Sequence, residues 1–165
     1  GLCVTAISLL SVTSESEYNN LKGNNSIEPS VSQKYLGNTF EKYIDDFTIT
    51  AEIVKESGFH KNPPDFHCLL AEDNDKVAGM LVYYFLPYTA QNRPAIYMKE
   101  LYVDEKYRGQ NIGEQLMNVL KKEAKVNNCG QIKWTVAPWN EAGKRFYERL
   151  GANENNEWIN YEWSV

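Results

Sequence analysis

Residues 96–113, IYMKELYVDEKYRGQNIG, constrain this chain more than any other stretch. An apolar, aromatic-rich strand candidate at 96–103 passes through a charged turn into Arg108-Gly109-Gln110-Asn111-Ile112-Gly113, after which the pattern becomes that of an amphipathic helix. A glycine-containing loop that opens a helix exposes backbone N–H groups with no intrahelical partner, and the helix dipole favours negative charge there. A diphosphate suits such a place. The Arg-Gly-x-x-x-Gly string alone is equally what an ordinary strand-to-helix connection looks like, so the weight falls on its context.

That context is a second unit further on. Trp134-Thr135-Val136-Ala137-Pro138-Trp139-Asn140-Glu141 runs into Ala142-Gly143-Lys144-Arg145-Phe146-Tyr147-Glu148-Arg149-Leu150-Gly151-Ala152. Tyr107 to Gly113 and Trp139 to Ala152, in this order, resemble the two motifs of the GNAT superfamily of acetyl-CoA-dependent N-acetyltransferases. Ser57-Gly58-Phe59, Asn62-Pro63, the segment 66–72, Tyr83-Tyr84-Phe85 and Phe40-Glu41-Lys42 narrow the resemblance to the diamine (spermidine/spermine) and thialysine acetyltransferases. It covers residues 40–163 and implies an acetyltransferase domain at 40–165, preceded by an irregular region, 1–39, which is either part of the same domain or apart from it. Such relatives place a first strand and two helices in that region, so the beginning reads as truncated, processed or altered.

Composition agrees with one globular domain. A chain of 165 residues buries about two-thirds of its unfolded surface in one core. No run approaches the ~20 apolar residues of a membrane span, and the apolar segment 3–10 lacks the basic flank and cleavage pattern of a signal peptide, so it reads as a strand. Cys3, Cys68 and Cys129 form neither a metal-ligand pattern nor a disulfide framework, which suits a reducing, cytoplasmic setting. The net charge of −5 argues against a nucleic-acid surface, and nothing points to a membrane partner.

Along the chain, residues 14–32 are rich in Ser, Asn and Glu and read as a loop. Residues 50–57 predict a short helix capped by Thr50 and stopped by Gly58, and Pro63-Pro64 a loop. Segments 66–72 and 76–85 predict two strands of a hairpin around Asp73-Asn74-Asp75, with 87–94 connecting to the next strand. The helix from Gly113 places Ile112, Leu116, Val119, Leu120 and Ala124 on one face and Lys121, Lys122 and Lys125 on the other, ending at Asn128-Cys129-Gly130. Residues 131–137 alternate as a strand, Asn140 caps a helix over 141–150 with Gly151 as its stop, and 158–165 alternate again. The order predicts an α/β fold; the resemblance implies a mixed, mostly antiparallel central sheet flanked by helices.

The chemistry of amide formation states what the site requires. A primary amine with a pKa near 10.4 is about one part in a thousand neutral at pH 7, so freeing the nucleophile costs roughly 4 to 5 kcal/mol unless a base or water chain takes the proton. The oxyanion wants a backbone N–H and the departing thiolate wants a proton donor. The resemblance assigns the donor's role to Tyr147; its other reading is a core aromatic beside Phe146. Gly143, one helical turn earlier, would leave room for the thioester arm. The resemblance also gives the pantetheine arm to the backbone of Leu101 and Val103, around Tyr102, the diphosphate to Arg108, Gly109, Gln110, Asn111, Ile112 and Gly113, and the arm near the second helix to Asn140. Leu101 and Val103 equally read as plain core. Asn111 stands where the family commonly has glycine, and asparagine is the residue after glycine best able to take positive φ.

On the acceptor side, related enzymes place two neighbouring acids on the central strand, where this chain has Lys99 and Glu100. Glu100 is thus the one acid left there to take a proton. Glu41 and Trp158 match an acid and an aromatic of the amine site, although Glu41 also reads as a solvated charge. Lys99 would repel a polycation and attract a carboxylate; alternatively it projects from the opposite face of a regular strand and takes no part. His60 and His67 lack acidic or thiol partners at ligand spacing, so no metal is implied. The sequence therefore predicts transfer of acetyl from acetyl-CoA to a small primary amine (polyamine, diamine or lysine-like amino acid) by direct attack in a ternary complex, in a homodimer by subfamily resemblance. The alternatives are an acetyl-CoA-binding regulatory module without turnover and an acetyltransferase of protein lysines or N-termini.

Overall fold

A computed structural model describes residues 3–5, 53, 56–73 and 76–165, which divide between two compact units, 1–134 and 135–165. In the first unit, a five-stranded sheet runs in chain order: β1 (Cys3–Thr5), β2 (His67–Asp73), β3 (Lys76–Leu86), β4 (Ala95–Val103) and β5 (Gln131–Lys133). The first four strands pair antiparallel, and β5 adds parallel to β4 after the crossing helix α1 (Ile112–Val126). A parallel neighbour needs such a crossover, which is why the long amphipathic segment lies between them.

β3 is the centre of the sheet and is buried from Val77 to Tyr83, so it reads as a continuous apolar run rather than an alternating one. On one face Leu70, Val77, Met80 and Val82 cluster with Phe66, Cys68 and Tyr102 packed against them. α1 lies against β2, β3 and β4 and buries Ile112, Leu116, Met117, Leu120 and Ala124, each large side chain contributing roughly 2 kcal/mol. Val119 is only half-buried, and Met117 takes the place the helical pattern had reserved for it.

One glycine sets how closely α1 begins. A Cβ at Gly79 would stand 2.8 Å from the Tyr102 carbonyl oxygen, 3.2 Å from Ile112 Cγ2 and 3.4 Å from Val103 Cγ2. The strand thus gives up a side chain so that the end of β4 and the start of α1 can approach. Gly79→Ala is expected to destabilise the protein by about 1 to 3 kcal/mol, read as a lower urea midpoint. An unchanged midpoint would mean that this approach is not tight in solution.

The hairpin appears as predicted, β2 and β3 pairing from His67↔Tyr83 to Asp73↔Lys76. Three expectations change. Gly58 does not stop a helix: it is buried inside a π-helical turn, Glu56–His60, where a Cβ would meet the Phe66 ring at 2.8 Å. The strand expected over 131–137 ends at Lys133, opposite Tyr97 and two residues short of the bulge at Lys99. Residues 158–165 alternate but form no strand, for alternation specifies faces only once a neighbouring strand supplies hydrogen bonds. Thr50, the loop 14–32, residues 6–10 of the N-terminal strand candidate and the segment Phe40-Glu41-Lys42 lie outside the described residues.

Candidate active site

β4 carries a bulge at the two charged residues of its apolar run. Val82 pairs with Glu100 and Tyr83 with Met98, so Lys99 is the extra residue. Tyr97 stands opposite Tyr84, their rings stacked at 5.2 Å, and Tyr84, Val82 and Met80 alternate onto one face of β3. Counting forward from Tyr97, Lys99 falls on that face; counting across from Val82, Glu100 falls there too. The opposite-face placement of a regular strand therefore does not hold, and the two residues are neighbours on one surface. Lys99 is exposed, whereas Glu100 is half-buried in the row Cys68, Val82, Glu100. Burial pushes the Glu100 carboxyl up to about 7, against a smaller downward pull from the Lys99 ammonium. A carboxyl poised there can accept a proton at neutral pH.

Leu101 pairs with Leu81, Tyr102 with Met80 and Val103 with Gly79. Because the β4–β5 ladder stops at Tyr97↔Lys133, the outer edge of β4 at 101–103 has no strand partner among the described residues. Beyond the strand, Asp104 caps a short turn, Glu105–Tyr107, by accepting from Lys106 N at 2.9 Å. Arg108 then folds back: its Nε donates to the Val103 carbonyl at 3.3 Å and its Nη1 lies 3.4 Å from Glu105 Oε1. The guanidinium is thus tied to the strand end while remaining exposed.

The loop into α1 turns through two left-handed residues, Gly109 at φ 79° and Asn111 at φ 60°, ψ 18°. A Cβ at Gly109 would meet nothing within 4 Å, so backbone conformation alone demands glycine. Asparagine at 111 takes the positive φ expected of it, and its side chain makes no capping hydrogen bond. Ile112 is buried and fixes the helix start, and the Asn111 carbonyl accepts from Gln115 N at 3.0 Å. With no side-chain cap from Asn111, the first-turn amides of Ile112, Gly113 and Glu114 can meet a ligand oxygen. Gly109, Gln110 and Asn111 are exposed, so this loop has the open backbone and the positive helix end that a diphosphate fits.

The second unit contains helix α2 (Glu141–Arg149). Its cap, Asn140, accepts from Gly143 N through Oδ1 at 2.9 Å, and a Cβ at Gly143 would stand 2.7 Å from Asn140 Nδ2. The glycine is therefore required locally by the cap itself. Lys144 Nζ donates to the Pro138 carbonyl at 2.6 Å, tying the first turn to the preceding loop. Tyr147, one turn beyond Gly143, is half-buried, its ring edge-on to Phe146 at 5.1 Å, while Arg149 covers Phe146 at 5.6 Å. The Tyr147 carbonyl accepts from Leu150 N and Ala152 N, and Gly151 closes the helix at φ 81°.

The structure thus gathers Lys99, Glu100 and Tyr102 on one face of β4, with Arg108 bound to its end and Gly109 to Gly113 leading into α1; Asn140, Gly143 and Tyr147 form a second group on α2. Trp158 is exposed in an irregular segment, and Glu41 lies outside the described residues. His67 is buried against Tyr83 and Phe85, with burial lowering its pKa, and His60 pairs with Glu56 at 3.1 Å, an acid one turn back that its sequence context had not suggested. Among the described residues no group of three metal-ligating side chains occurs. Gly79 and the bulge were missed from sequence; their signals were a lone glycine within a strand and two adjacent charges interrupting an apolar one.

Residues 32–152 match the family model for the acetyltransferase (GNAT) family. The chain is similar to thialysine N-epsilon-acetyltransferase of Sus scrofa, with 32% identity over 126 residues covering 72% of this chain and 73% of that protein. L-ornithine N5-acetyltransferase of Arabidopsis thaliana is 30% identical over 86 residues, 52% of this chain and 38% of that one. In fold, the chain is similar to an aminoglycoside acetyltransferase from an uncultured soil metagenomic sample, with a TM-score of 0.72 at 15% identity over 99% of this chain and 96% of that one.

Proposed function

Because the chain belongs to the acetyltransferase (GNAT) family and is an acetyl-CoA-dependent N-acetyltransferase, we propose that it acetylates a small primary amine, with Glu100 and Tyr147 carrying the proton transfers. The observation that carries this reading is the continuous run from β4 into α1: a half-buried acid, a strand end beyond the β5 ladder, then an open left-handed loop at a helix start. The relatives' names speak of thialysine and ornithine, both small amines, which supports a small acceptor over a protein chain.

In this proposal the diphosphate lies against the amides of 109–113 with Arg108 beside it, and the backbone of Leu101 and Val103 lines the pantetheine arm. Acetyl-CoA supplies the electrophilic thioester carbonyl. Glu100 takes the proton of the attacking ammonium, directly or through water, and Tyr147 returns one to the departing thiolate. Asn140 shapes the start of α2 and Gly143 keeps its cap free of a side chain. Transfer is direct, so initial-rate lines for amine and acetyl-CoA intersect; parallel lines would instead indicate an acetyl-enzyme. A homodimer and a cytoplasmic setting belong to the same proposal. The former comes from the subfamily resemblance, and the latter is supported by the free thiols of Cys68 and Cys129.

The test is CoA release from acetyl-CoA across polyamines, diamines, thialysine, ornithine and peptides, with calorimetry of acetyl-CoA binding beside it. Turnover is expected with the small amines. Gly109→Val places a β-branched residue at φ 79°, a strain of about 1 to 3 kcal/mol, and is expected to weaken acetyl-CoA binding by about tenfold or more. A folded protein that shows no heat with millimolar acetyl-CoA would remove the diphosphate assignment.

A further inference from the structure

We infer that Lys99 selects the acceptor: set beside Glu100 by the β4 bulge, its ammonium receives a carboxylate of the incoming amine, so the substrate is a basic amino acid or a close analogue rather than a polycation. This deepens the small-amine reading and rests on it.

The bulge is what makes the pair a recognition element. On a regular strand two successive residues point to opposite faces, and the lysine would sit away from the acid. Here Glu100 pairs across to Val82 while Lys99 is the unpaired extra residue, and both lie on the face that also bears Tyr97 and Tyr102. Their Cα atoms are about 3.8 Å apart, so one strand segment presents an acceptor for an ammonium next to a donor for a carboxylate. Such an arrangement reads a zwitterion.

The two side chains differ in burial in the sense this role needs. Glu100 is half-buried, where a proton acceptor is shielded from water, and Lys99 is exposed, so its long stem can meet the outer end of a substrate. Lys99 forms no ion pair with any described residue. The ammonium is near enough to Glu100 to be felt by its carboxyl. With Glu100 close to half-protonated at neutral pH, the pair carries net positive charge, which favours an acceptor with an anionic group and opposes one with several ammonium groups.

The experiment uses pairs of amines that differ only by a carboxylate: lysine against 1,5-diaminopentane, and ornithine against 1,4-diaminobutane. The ratio of kcat/KM within each pair is measured for the wild type, Lys99→Arg, Lys99→Gln and Lys99→Glu, with KM for acetyl-CoA and thermal melting recorded for each. The wild type is expected to favour the amino acid by about 10- to 100-fold, the range that like and unlike charges a few ångströms apart give at a protein surface. Lys99→Arg should keep that preference, Lys99→Gln should erase it, and Lys99→Glu should invert it, chiefly through the amine's KM. A ratio that stays the same in Lys99→Glu while both amines turn over overturns the selectivity alone. A wild type that turns over none of the four amines overturns the small-amine reading and this inference with it.

Discussion

Tyr147→Phe is expected to lower kcat by about 10²- to 10⁴-fold while leaving KM for acetyl-CoA within a small factor of its original value. The substitution removes one hydroxyl and keeps the ring, so the edge-on packing against Phe146 at 5.1 Å survives and the helix end, which hangs on the Tyr147 carbonyl, is untouched. A lost proton donor is felt where the thiolate departs, in the transition state, and hardly at all in the bound ground state. Steady-state rates with a saturating amine, together with a melting curve equal to wild type, provide the check. Full activity in Tyr147→Phe would mean that Tyr147 is packing and that water protonates the thiolate.

Glu100→Gln is the second large effect. The amide is nearly isosteric and cannot accept the ammonium proton, so kcat/KM at pH 8 is expected to fall by about 10²- to 10⁴-fold. With the carboxyl pushed from 4.5 to about 7 by burial, wild-type kcat/KM should rise with pH and level off above about 7, and the glutamine variant should lose that limb. Stability moves the opposite way. A carboxyl whose folded value lies above its unfolded one holds its proton more tightly in the native state, so that contribution is full below 4.5 and is lost as pH rises through about 7. Glu100→Gln should therefore be the more stable protein at pH 8, by roughly 1 kcal/mol once solvent screening of this half-exposed group is allowed for, and no more stable at pH 4. A pH–rate limb that persists in the variant would assign the base elsewhere.

The parts of the fold that were legible in sequence are those in which local signals agree. The segment 96–126 announced a strand, a loop and a helix because an apolar run, two glycines and a helical stripe follow in order, and the structure has Ala95–Val103 and Ile112–Val126 there. Asn111 was readable as a left-handed position and Asn140 as a cap, since both depend on one residue's own backbone and side chain. The pairing of β2 with β3 was readable because two apolar runs follow one another with only a short polar stretch between them.

What failed depended on partners far away in sequence. Residues 131–137 and 158–165 both alternate, yet only Gln131–Lys133 pairs, opposite Ala95, Ile96 and Tyr97 of β4, and alternation within a segment does not say where a neighbouring strand stops pairing with it. Gly58 carried the mark of a helix stop but serves a close contact with Phe66, which no local rule reveals. Gly79 likewise had no pattern to declare that Tyr102, Val103 and Ile112 converge on it.

The amino-acid sequence by itself determined the family, the cosubstrate and the residue types available for chemistry, because motif order and turn residues are written locally. Whether Lys99 and Glu100 face apart or together was decided only by tertiary structure, through a single extra residue in the pairing of β4 with β3. Side-chain direction in a strand has a period of two, so one residue out of register moves a charge from one face of the sheet to the other, and that register is a property of two strands.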